Sequence, residues 1–147
     1  MATPRRNRKK RYFTVAEANA TLPLLRSILR DVTELARELS DRHERLSRVQ
    51  QPSGGKLSEA YQEELQDIQA DFERGRERME EFIHELQGLG VELKDPYTGL
   101  VDFPCLRDNH EVYLCWRLGE PEVAHWHELD AGFAGRQKLQ PAHSAKP

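Results

Sequence analysis

Two stretches of the chain repeat apolar residues at alternating three- and four-residue steps, and a third is rich in β-branched and aromatic residues cut by turn signals. The first run is Leu22, Leu25, Leu29, Val32, Ala36, Leu39, His43 and Leu46. The second is Leu57, Tyr61, Leu65, Ile68, Phe72, Gly75, Met79, Phe82 and Leu86. A period near 3.5 residues is that of a helical seam packed against another helix. Between them lies "QQPSGGK", where Pro52, Gly54 and Gly55 end helices and reverse the chain. Two runs of similar length with a short link predict an antiparallel, coiled-coil-like helical hairpin, each arm about 45 Å long for roughly 30 residues at 1.5 Å each. Ile28, Leu35 and Ile83 widen the apolar stripe beyond a strict seam, so the hairpin should pack on the C-terminal part or on a second chain.

Helix-start signals agree with this pattern. Thr14 followed by Glu17 is a capping box, and Phe13 stands where it can staple onto Ala18. Pro23 predicts a short first helix that breaks near Thr21, with the proline in the opening turn of the next.

Past Gly88 and Gly90, "VELKDPYTGLVDFPCLRDNHEVYLCWRLGEPEVAHWHEL" is interrupted at Asp95-Pro96, Gly99, Asp108-Asn109 and Gly119-Glu120-Pro121. That spacing predicts a small antiparallel β-meander and an α+β fold. With Asp108-Asn109 as a two-residue hairpin loop, Leu106 faces Glu111, Cys105 faces Val112, Phe103 faces Leu114, Asp102 faces Cys115 and Val101 faces Trp116. One face is then a core face of Val101, Phe103, Cys105, Val112, Leu114 and Trp116, and the other a polar face of Asp102, Tyr113, Cys115 and Arg117. The parity of "LGEPE" leaves open which face takes His125 and His127. "DAGFAGR" reads as a docked tail with Phe133 inserted into the core. Residues 12–137 form one domain, with the hairpin over 12–88 and the meander and tail over 89–137. Residues 1–11 are a disordered basic tail and 138–147 a flexible end.

Composition bounds what this architecture can do. A chain of 147 residues, 37% hydrophobic and 32% charged, has room for one lean core. Its net charge is only -3, and neither a membrane-length apolar run nor a secretory h-region is present, which points to the cytoplasm and away from membranes. Cys105 and Cys115 are too few for a disulfide framework and form no C-x-x-C. Arg5, Arg6, Arg8, Lys9, Lys10 and Arg11 could contact nucleic-acid phosphates, but no aromatic is interleaved to stack on bases.

"YFTVAEANATLPLL" together with "TGLVDFPCLRDNHEVYLCWRLGEPEVAHWHELDAGFAGRQ" resembles the bacterial family catalogued as domain of unknown function 2203. The resemblance covers the chain apart from the basic tail and the last residues, and is most specific in "DFP", "VYLCWRLGE" and "WHELDAGFAGR". It implies no activity, substrate or cofactor. His127, Glu128, Asp130, Gly132, Gly135 and Arg136 fall on the family pattern, whereas His125 does not.

Candidate chemistry gathers in the C-terminal block. On a strand, His125 and His127 project to one face about 6–7 Å apart, a chelating distance. Glu128, Asp130, Asp102 or Cys115 would supply a third ligand; thiolate favours zinc, carboxylates iron or manganese. The plainer alternative leaves His125 as a strand residue and His127 bonded to a carbonyl or to Asp102. Glu128 and Asp130 also suit acid/base work if their environments differ, or pairing with Arg117 and Arg136. Cys115 as a nucleophile needs an adjacent base. Glu81 and His84 make half of a di-iron pattern, and His43 sits on the helical seam. Three functions follow: an interaction module whose hairpin binds a protein partner or a second copy, a metal-binding protein or metalloenzyme, and nucleic-acid binding through the tail. The first is preferred because the two seams span most of the chain.

Overall fold

The computed structural model describes residues 10–50 and 58–140. The expected reversal at Pro52, Gly54 and Gly55, Leu57 of the second seam, and the tail arginines before Lys10 lie outside the described residues. Helix α1 spans Val15–Gln50 and α2 spans Glu59–Leu89. A sheet follows in chain order: β1 (Glu92–Asp95), β2 (Leu100–Arg107), β3 (His110–Arg117), β4 (His125–Glu128), a 3-10 turn at Phe133–Gly135, and β5 (Gln137–Lys138). Each strand pairs antiparallel with the next, so the five-stranded sheet is an uninterrupted meander. None of the helices among the described residues is long and apolar enough to cross a membrane.

The caps explain where the helices begin and end. Glu17 N–H donates to Thr14 Oγ1 at 3.0 Å and Thr14 N–H to Glu17 Oε1 at 2.9 Å, which is the reciprocal capping box. Ser58 caps α2 by accepting from Tyr61 N–H. Gly90, with φ of 88°, closes it: its N–H donates to Gln87 O and that of Val91 to Leu86 O.

The break expected near Thr21 does not occur, and α1 runs through Pro23. A helix-interior proline forfeits one hydrogen bond and costs about 3 kcal/mol. Around it Leu22, Leu25, Ile28, Leu29 and Val32 are all buried on one face. Burial of each is worth about 1.5–3 kcal/mol, so together they outweigh the proline.

The start of α1 and the end of α2 share one core with the sheet, through Leu25, Leu29, Val32 and Leu86 against Val101, Phe103, Val112, Leu114 and Trp116. The surplus apolar width of the hairpin is used there in part, since Ile28 belongs to this core. The far half of the hairpin packs mainly on itself. Leu39 lies against Gly75, where an added Cβ would come within 2.5 Å of its Cδ2, and the tilted rings of His43 and Phe72 have centres 5.9 Å apart. In the sheet, Asp108 and Asn109 take φ of 53° and 65°, and every pairing expected across β2 and β3 is present.

Candidate metal centre

The β3–β4 connection decides what the second sheet face carries. Gly119 turns at φ 107°, Glu120 returns its N–H to Arg117 O, and Arg117 N–H donates to Glu120 Oε1. Asn19 of α1 accepts from Val123 N–H at 2.7 Å and fixes the start of β4. The resulting register sets Cys115 opposite His125 and Tyr113 opposite His127. Both histidines therefore share the face of Asp102 and Cys115.

That face was expected to be polar, and in the structure its centre is also buried: Asp102 is 3% exposed, Cys115 0% and His127 2%. Arg136 lies over it, with Nη1 donating to Cys115 Sγ at 3.7 Å while the guanidinium pairs with Glu120. Phe133 is not in the core as expected. It is 37% exposed, with the guanidinium groups of Arg117 and Arg136 at 4.9 and 4.5 Å from its ring centre. Cation–π attraction from the two arginines holds the ring without burying it.

One ligand atom each from Asp102, Cys115 and His127 lies within 4.8 Å of the other two. His127 Nδ1 is 2.7 Å from the Glu128 carbonyl oxygen. A carbonyl only accepts, so Nδ1 carries a hydrogen and donates it. Nε2 then faces both carboxylate oxygens of Asp102 at 3.1 Å, and a proton or another cation must stand between them. Burial pushes the Asp102 carboxyl above its usual range despite the opposing hydrogen bond from His127. Burial likewise raises the Cys115 thiol to about 11, against the pull of Arg136. Tyr113, raised to about 12 by burial and by donating to the Glu92 carboxylate, packs 5.5 Å from the His127 ring. His125 is half-buried, and its imidazole is held below the usual range by burial and by the charge of Arg136. Asp102, Cys115 and His127 thus form a cluster closed off from solvent.

The other candidates lie elsewhere. Glu128 is on the opposite face and bonds His110 Nε2 at 2.8 Å. Asp130 is exposed in the turn after β4, outside the cluster. Arg136 pairs with Glu120 and not with either of them. Cys105 is buried on the helix-facing side. Glu81, His84 and His43 are exposed on the hairpin, and Lys10 of the basic tail pairs with Glu111. Sequence reasoning missed Glu120 and Asn19. A carboxylate inside the Gly-Glu-Pro turn was a usable signal for the first; an asparagine between buried helix positions was the only one for the second.

The family described as an uncharacterized conserved protein (DUF2203) matches residues 11–139, and the chain belongs to it. No curated protein and no solved structure matches the chain.

Proposed function

We propose that this member of the DUF2203 family is a metal-binding protein holding one divalent ion, zinc by preference, through Asp102, Cys115 and His127. The observation that carries the reading is the closeness of three buried donor atoms, all within 4.8 Å of one another. A tetrahedral zinc site with bonds of about 2.0–2.3 Å has donors about 3.3–3.8 Å apart. The 3.1 Å between Asp102 and His127 already has that scale, and Cys115 closes by about an ångström. The Nδ1–H bond to the Glu128 carbonyl supports the same reading, because metal-binding histidines are oriented by such a bond on the far nitrogen. Thiolate with imidazole favours zinc over manganese. The ion would replace the shared Asp102–His127 proton and that of the thiol, while tying β2, β3 and β4 together. Its burial argues for a structural or regulatory ion. Metal content of the protein purified without a histidine tag tests the proposal. Stoichiometric zinc in the parent, absent from C115S and H127Q, is the expected result. Protein that stays metal-free after incubation with zinc, iron and manganese at neutral pH refutes it.

A second reading concerns the far half of the hairpin. Leu39, Leu46, Leu65 and Phe72 are only half-buried by the partner helix, which favours pairing with another copy or a protein partner there. Light scattering over a concentration series checks self-association: mass should rise toward twice that of the monomer, and a constant monomer mass goes against it.

A further inference from the structure

We infer that His125 supplies a fourth donor to the same ion through Nδ1, making a closed two-histidine, one-cysteine, one-aspartate centre. The inference rests on the three-residue site above and completes it.

A divalent zinc-type ion in a site shut off from water takes four protein ligands, since no solvent molecule fills the open position. Asp102, Cys115 and His127 are almost entirely buried, so the chain itself must provide the remaining donor. His125 Nδ1 is the one buried side-chain nitrogen or oxygen among the described residues with no hydrogen-bond partner. Buried polar atoms are nearly always satisfied, so such an atom calls for a partner. The other acids at the margin are committed. Glu92 accepts from Tyr113 and pairs with Lys94, and Glu120 holds Arg136 and the Arg117 N–H.

Position points the same way. His125 sits directly opposite Cys115 on the neighbouring strand and two residues from His127 on its own. Opposed side chains have Cβ atoms about 4.5–5.5 Å apart. His125 is not among the three residues whose ligand atoms already lie within 4.8 Å of one another, so binding requires its side chain to turn inward from β4. Charge also balances: a carboxylate, a thiolate and two neutral imidazoles match a divalent cation, and the adjacent Arg136–Glu120 pair is neutral by itself.

Cobalt(II) titration of the untagged full chain, stripped of metal, tests this. The parent should show the intense visible bands of four-coordinate cobalt and a near-ultraviolet thiolate charge-transfer band. In H125A the charge-transfer band should persist while the visible bands change. Cobalt affinity should drop by more than the roughly 10–100-fold that loss of a merely supporting group costs. H125T, better suited to a strand, guards against an unfolded variant and should behave like H125A. Unchanged affinity and spectrum in folded H125A or H125T overturns the assignment of His125 while leaving the three-residue site standing. A parent that binds no cobalt overturns both.

Discussion

His127 holds both ring nitrogens against acceptors, one on a backbone carbonyl and one on Asp102, in a place water does not reach. In metal-free protein, H127A therefore leaves a buried carboxyl without its partner. Breaking such a pair costs about 3–5 kcal/mol. Urea unfolding in the presence of a chelator should show a loss of that order, and an unchanged midpoint would mean that the cluster contributes nothing to the fold. Glu120 gives a pH-dependent counterpart. Burial raises its carboxyl, but Arg136 and the Arg117 N–H prevail and hold it below the ordinary range. A carboxyl depressed in the folded state stabilises above its unfolded pKa of about 4.3 and loses that contribution as pH falls through the folded value. The stability gap between the parent and E120Q should thus be full at neutral pH and shrink below about pH 4. A gap independent of pH would show that the pair with Arg136 does not stabilise the fold.

At the scale of elements, legibility followed locality. The capping box and the β2–β3 register could be read because each is set by a few adjacent residues, Thr14 to Glu17 and Asp108-Asn109. The side taken by β4 could not. It depends on a carboxylate-capped turn at Glu120 and on Asn19, which reaches Val123 from the first helix. Pro23 misled for the converse reason: local propensity spoke for a break, and burial along the whole face of α1 overrode it. Since Pro23 is exposed, P23A should restore the missing helical bond without touching the core. It should stabilise by about 1–3 kcal/mol in chemical denaturation. A destabilised P23A would mean that the proline contributes to the native path of α1.

Over the whole molecule, the division of labour is between the two faces of one small sheet. The helices cover one face with apolar side chains, and the other is covered by Glu120 of the β3–β4 turn together with Arg136 and Phe133 from the segment after β4. The candidate ligands Asp102, Cys115 and His127 were visible in the sequence as residue types. Their burial was not, because the cover is built from charged and exposed residues whose pairing spans the loops. That cover makes the centre a closed one, and a closed centre with one cysteine has a distinctive first coordination sphere. X-ray absorption at the zinc edge of the untagged protein reads it directly. The account predicts a single sulfur at about 2.3 Å with nitrogen and oxygen neighbours at about 2.0–2.1 Å. Zinc surrounded by nitrogen and oxygen alone, or a protein that takes up no zinc, would contradict it.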